Sequence, residues 1–223
     1  MSELLPIFPL PNVVLFPGVF LPLHIFEPRY REMVADALAS DRMIGMVLLR
    51  PGWQHQYEGR PPVYPVGCSG VITHVETLPD GRYNIVLRGV ERFRILEEDD
   101  GRSYRRAIVE SAPDGPGTGD DQAAVRQQRT KLEALLAPAI ERSLSAEGRL
   151  EGVGGAGRDS TLPATMADED LVNALAQYLD LEPLEKQALL EQRNLRGRAE
   201  SLVELLEMKI LIAKTPGVTN VAH

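Results

Sequence analysis

The residue types that could do covalent chemistry gather at one place in this sequence. Gly67-Cys68-Ser69-Gly70 sets a thiol beside a hydroxyl, and His74 follows the thiol by six residues. Together they could form a thiol–imidazole pair or a small hydrolase centre. The spacing is not that of a GxSxG elbow, so the sharp turn that exposes a nucleophile has no signature. The competing reading is a small buried residue in a strand with a surface imidazole, because buried cysteine is common and inert. His24, His55, His74 and His223 are scattered, and no two stand at metal-ligand spacing. The single cysteine excludes an intramolecular disulfide and a thiolate zinc cage. GxxxxGK[ST] and HExxH are absent, and no GxGxxG follows a strand. The residues call for no cofactor and no metal.

Other residues suit non-covalent work. Arg88, Arg92 and Arg94 could hold a carboxylate or phosphate by bidentate contacts, or could pair with Glu91, Glu97 and Glu98 across a sheet. Trp53 and Tyr57 lie in a proline-bounded loop, either as a recognition platform or as packing for that loop. Phe16, Val19 and Phe20 flank a Phe16-Pro17-Gly18 turn and could leave apolar surface exposed.

The elements that must position these residues fall into two textures. Residues 1–112 are rich in Val, Ile, Phe, Tyr and turn residues, and residues 120–223 in Leu, Ala, Glu and Gln. Between them, Pro113 to Gly119 supports neither helix nor strand, which sets the domain boundary there. In the first part, strands are expected at 4–10, 20–26, 43–49, 66–78, 82–89, 92–96 and 104–109. Tyr30, Met33, Val34, Ala37 and Leu38 recur at helical spacing behind Pro28, so 28–39 should be one amphipathic helix. Pro79-Asp80-Gly81 is a hairpin turn. Seven short strands and one helix are best closed as a small barrel, which hides the strand edges. The second part reads as a helical bundle: a long helix carrying Pro138, then helices around Leu171–Leu179, Pro183–Leu190 and Ala199–Ala213, interrupted by a Gly-rich insertion at 148–157. The stripes of Leu171–Leu179 and Leu202–Ile210 should pack together, since short helices are marginal alone. The fold class is α+β.

Charge narrows the partners. The net charge of −8 belongs to a chain in which neither part is basic and no lysine precedes Lys131. A broad nucleic-acid or anionic-membrane face is therefore disfavoured, although Arg88, Arg92, Arg94, Arg105 and Arg106 could form a local patch for RNA. The apolar N-terminus is broken by Pro6, Pro9, Pro11 and Pro17 and has no basic run, so neither a signal peptide nor a membrane span is expected. Without disulfides, a cytoplasmic setting is the expectation.

Leu5-Pro6-Ile7-Phe8-Pro9-Leu10-Pro11-Asn12-Val13-Val14-Leu15-Phe16-Pro17-Gly18, followed by Leu21-Pro22-Leu23-His24-Ile25-Phe26-Glu27-Pro28-Arg29-Tyr30, resembles the opening of the Lon protease N-terminal, substrate-binding domain. Gly67 with Val71-Ile72, Asp80-Gly81-Arg82, and Gly89 with Arg92-Phe93 and Ile95 are similar to that domain's hairpin and following strand. The resemblance runs from about Leu4 to Ile212. It implies a PUA-like β pseudo-barrel followed by a helical bundle, in a stand-alone Lon substrate-binding-domain protein without ATPase or protease modules. The function it implies is non-enzymatic recognition of unfolded polypeptide or of a partner protein, beside a protease in trans. Phe16, Val19, Phe20, Trp53, Tyr57, Arg88 and Arg92 are the candidate binding residues. RNA binding and a thiol or hydrolase enzyme on Cys68, Ser69 and His74 are the alternatives.

Overall fold

The structure is a computed structural model that describes residues 4–56, 59–115, 117–147 and 166–214. Tyr57 and the insertion 148–157 lie outside the described residues. Six strands, β1 (Leu5–Leu10), β2 (Phe20–Ile25), β3 (Met43–Leu48), β4 (Val66–Thr77), β5 (Tyr83–Asp99) and β6 (Arg105–Ser111), form one sheet in the order β2-β5-β4-β3-β1-β6. β6 also pairs with the second half of β5, so β5-β4-β3-β1-β6 closes into a barrel. β2 lies on the first half of β5, from Phe20 opposite Arg88 to Ile25 opposite Tyr83. Every pairing is antiparallel except β1 with β3. That parallel pair needs a long crossover, which carries β2 and helix α1 (Pro28–Leu38).

The apolar spacing read in residues 28–39 has the expected effect: Tyr30, Met33, Val34 and Ala37 are the buried face of α1. Pro28 sits in the first turn, where its missing N–H costs nothing. Inside the barrel Ile7, Val47, Phe93 and Ala107 form a core cluster, with Leu5, Val63, Ile95 and Val109 packed against it. Each large apolar side chain so buried contributes about 1.5–3 kcal/mol by leaving water.

One expectation about strands is corrected. The two strands read at 82–89 and 92–96 are a single 17-residue strand, β5. The reason is a bulge. The register between β4 and β5 shifts between Ser69, opposite Glu91, and Gly70, opposite Gly89, leaving Val90 as the extra residue. The strand bends there without breaking. Gly89 permits the bend, because a Cβ at that position would overlap the Phe16 carbonyl.

The chain forms two compact units, Met1–Gly115 with Asn173–Asn194, and Pro116–Val172 with Leu195–His223. The division differs from the boundary read in the composition, which put everything from 120 onward in one bundle. The end of α3 (Asp168–Tyr178) and all of α4 (Pro183–Leu190) belong with the sheet. Polar side chains explain why. Gln177 Oε1 accepts the Phe16 N–H at 3.2 Å, and Gln187 Nε2 donates to the Val66 carbonyl at 3.0 Å. Backbone groups that the barrel leaves open are satisfied by these two glutamines, both buried. In the second unit, α2 (Gly119–Glu147) packs against α5 (Leu195–Lys214), with Val125 and Leu132 buried on one and Ala199, Leu202, Val203 and Leu206 on the other. Pro138 lies within α2 without ending it. Arg129 joins Glu133, Asp168 and the Met166 carbonyl in that unit.

Candidate functional site

The structure separates the residues that could have formed a nucleophilic centre. Cys68 is fully buried, its thiol donating to the Ser69 carbonyl at 3.4 Å. Ser69 is buried as well, and its hydroxyl donates to the Glu91 carbonyl at 3.1 Å. His74 is exposed six residues further along the same strand. At about 3.3 Å per residue that is roughly 20 Å, far beyond proton-transfer reach. Cys68, Ser69 and His74 assemble no site.

The arginine run divides into two roles. Arg92 is only 5% exposed and cannot be a surface contact, which corrects its place among the binding candidates. Its guanidinium pairs with Asp114 at 2.7 Å and donates to the carbonyls of Leu190, Gln192 and Arg193 at the C-terminus of α4. Positive charge at that end complements the helix dipole. Arg105 forks onto Glu98 at 2.9 and 2.6 Å, and Arg106 onto Asp99 at 2.8 and 2.5 Å. The Arg106 guanidinium, helped by the Gly101 N–H, holds the Asp99 carboxyl below the usual carboxylate range. Of the five arginines considered for an RNA patch, three are thus paired with carboxylates. Arg88 and Arg94 remain exposed.

The aromatic candidates also divide. Phe16 is fully buried and Val19 is 5% exposed, so both belong to the core and offer no apolar surface, contrary to expectation. Phe20 is 49% exposed on β2. As the cross-strand partner of Arg88, it shares that residue's face of the sheet. Trp53 is half-buried in a short 3₁₀ turn, Trp53–Gln56. Its loop leaves the sheet after β3 and rejoins it at Val63, which bridges to Leu49, whereas Phe20 and Val71 both stand opposite Arg88.

What surrounds Phe20 was only partly readable. β2 is the edge of the sheet. The Gly89 N–H donates to the Val19 carbonyl, so by the alternation of an antiparallel ladder the odd residues of β2 bond to β5. Phe20, Pro22 and His24 turn their backbone groups outward. Pro22 thus costs the ladder nothing. The outward Phe20 carbonyl accepts the hydroxyl of Tyr178, itself 66% exposed, at 3.0 Å. Tyr178 was missed in the sequence, although an aromatic one position off the Leu171, Val172, Leu175, Ala176, Leu179 stripe was a signal. Further along the same face, Arg82 Nη1 lies 3.2 Å from His24 Nε2, and His24 Nδ1 lies 2.7 Å from Asn84 Oδ1. Arginine only donates, so Nε2 accepts and the Nδ1–H donates to Asn84. Asn84 Nδ2 donates in turn to Glu76 at 2.7 Å.

A concavity of about 620 Å³ opens elsewhere on this unit, with Leu5, Asp36, Met43, Phe93, Tyr104 and Arg106 in its lining. The Tyr104 hydroxyl donates to Asp36 at 2.7 Å, and burial together with that bond pushes its pKa up to about 12. No group of three or more His, Cys, Asp or Glu that could hold a metal ion occurs among the described residues, and none of the described helices is long and apolar enough to cross a membrane.

Comparisons with known proteins agree with this architecture. The chain is 29% identical to Lon protease 2 of Myxococcus xanthus over 216 residues and 28% identical to the Lon protease of Anaeromyxobacter dehalogenans over 214. It spans about a quarter of the length of these relatives, since 95% and 94% of this chain align with 24% of each protease. Among solved structures, the N-terminal domain of Mycobacterium avium complex Lon protease superposes with a TM-score of 0.63 at 18% identity, covering 92% of this chain and 98% of that one. A Lon N-terminal domain protein from Xanthomonas campestris gives 0.55 at 23% identity, covering 96% and 99%. These similarities establish the fold. A family model described as the ATP-dependent protease La (LON) substrate-binding domain matches residues 4–208, and the chain belongs to that family.

Proposed function

We propose that this chain is a non-catalytic polypeptide-recognition module, and that an extended segment of an unfolded or partner protein binds along β2. The observation that carries the reading is the open edge. β2 is the terminal strand, the outward groups of Pro22 and His24 meet no further strand among the described residues, and Phe20 and Tyr178 stand exposed beside them. A strand added at such an edge draws affinity from main-chain hydrogen bonds and selectivity from its alternate side chains. Pro22 withholds one donor from that ladder, which keeps capture weak and limits edge-to-edge aggregation. Weak, sequence-tolerant capture suits a protein that must accept many unfolded chains. Family membership supports the reading, since the family is described as the substrate-binding part of an ATP-dependent protease. Work beside a protease in trans is part of the proposal. So is a cytoplasmic setting, with which one buried cysteine is compatible.

Fluorescence anisotropy with labelled unfolded peptides of varied sequence tests it. The expected result is saturable binding, weakened several-fold by Phe20→Ala with an unchanged urea midpoint. Absence of binding at high micromolar protein across all peptides overturns the reading, as does binding indifferent to both Phe20→Ala and Tyr178→Ala.

A further inference from the structure

A second concavity on the barrel has a different chemistry. Its volume is about 320 Å³, and its lining includes four arginines, Arg29, Arg60, Arg102 and Arg105, with no Asp or Glu among the lining residues. That size suits a small ligand or the end of a larger one. The four arginines come from the start of α1, the loop before β4, and the β5–β6 connection with the first residue of β6, so no spacing in the sequence announces them.

Two of the four are fixed in place. Arg105 is 8% exposed, spends Nε and Nη2 on Glu98 and donates Nη1 to the Pro61 carbonyl at 2.7 Å. Arg29 is held by Glu27 at 2.9 Å and lies over the Tyr30 ring, 4.6 Å from its centroid. The other two keep donors to offer. Arg60 is exposed, and its only bond among the described residues runs from Nη1 to the Asp99 carbonyl at 3.2 Å. Arg102 stands 3.7 Å from Glu32 and from Asp36, beyond hydrogen-bond length. Both carboxylates already accept shorter bonds, Glu32 from the Ser103 hydroxyl at 2.6 Å and Asp36 from Tyr104 at 2.7 Å. The carboxylates that balance this cluster, Glu27, Glu32, Asp36 and Glu98, are therefore not part of the cavity lining. Guanidinium cannot shed its proton in a protein, and its planar fork matches carboxylate and phosphate oxygens.

We infer that this cavity is an oxyanion site, which takes a carboxylate or phosphate group on Arg60 and Arg102, with Arg29 and Arg105 held in its wall by their own carboxylates. The inference does not rest on polypeptide binding at β2. Two sources carry this chemistry, free phosphate and the terminal carboxylate of a polypeptide. The test is an NMR titration of the full chain, following backbone amide and arginine Nε–H signals at low salt. One arm uses inorganic phosphate, and the other a short peptide with a free C-terminus beside its C-terminal amide. Saturable shifts centred on Arg60, Arg102 and Ser103 are expected in at least one arm. The Arg60→Gln, Arg102→Gln double variant should bind about tenfold more weakly or worse, while Arg126→Gln, at an exposed position of α2, binds as the parent does. Phosphate shifts alone assign free phosphate as the source, and shifts from the acid but not the amide assign a polypeptide terminus. The inference is overturned if neither probe saturates up to tens of millimolar, or if the double variant binds as tightly as the parent. Both arginines are exposed, so the variant should keep its fold, and an unchanged urea midpoint verifies it.

Discussion

At Tyr104, burial and the hydrogen bond to Asp36 act in the same direction, because both favour the protonated phenol. The pKa of about 12 stands above the ordinary value of 10, and the sign of its linkage follows. Below pH 10 the folded and unfolded chains both keep the proton, and the stabilisation is whole. Between 10 and 12 the unfolded chain ionises and the folded one does not, so stability falls as pH rises through that window. Titration of tyrosinate absorbance should show one of the six tyrosines ionising near pH 12, and Asp36→Asn should move it down. A single transition near 10 for every tyrosine would count against the arrangement. None of this was readable beforehand, since Asp36 lies 68 residues upstream on α1 and nothing near Tyr104 announces it. Arg92 teaches the same point from the other side. That such arginines pair with acids was readable from composition, but its acid is Asp114, 22 residues away, and its other acceptors are about 100 residues away.

At the scale of elements, local pattern and outcome agree wherever the pattern is local. α1 formed on its apolar spacing behind Pro28, and the hairpin turned at Asp80-Gly81, where Gly81 takes φ 78°. β5 was misread as two strands because a bulge is a property of the pair of strands. Nothing in residues 89–92 alone distinguishes a bend from a break. The end of α4 depends on a partner too. Its last carbonyls are capped by Arg92 from β5, not by a basic residue in its own last turn. Arg92→Met keeps most of the volume but takes the cation away from Asp114 and from the buried Leu190 carbonyl. Removing one partner of a buried ion pair costs about 3–5 kcal/mol, so the urea midpoint should fall steeply. Arg92→Lys keeps the charge without the fork and should fall between. A Met variant within about 1 kcal/mol of the parent would show that the cap contributes little.

At the scale of the whole molecule, composition and packing draw the boundary in different places. Composition changes at Pro113–Gly119 and, taken alone, makes a fragment ending there a domain. Packing says otherwise, since the sheet forms one compact unit with Asn173–Asn194. A fragment of residues 4–115 would lose the Gln177 acceptor for the Phe16 N–H, the Gln187 donor to Val66, and the α4 carbonyls that Arg92 holds. Each loss leaves a group built for burial without its partner, at about 1–3 kcal/mol apiece or more where charge is involved. It would also uncover the apolar surface that Leu189 and Leu190, both buried, now help to cover. Against a typical stability of about 5–15 kcal/mol, three such losses together are enough to unfold a small barrel. The fragment should therefore lack a cooperative urea transition and bind a hydrophobic dye. A peptide covering residues 168–194, added in trans, should restore the transition, because it returns Gln177, Gln187 and the carbonyls at the end of α4 together. A cooperative transition for 4–115 alone, at the full chain's midpoint and unmoved by the peptide, would return the boundary to 113–119 and make the helices passengers on a self-sufficient barrel.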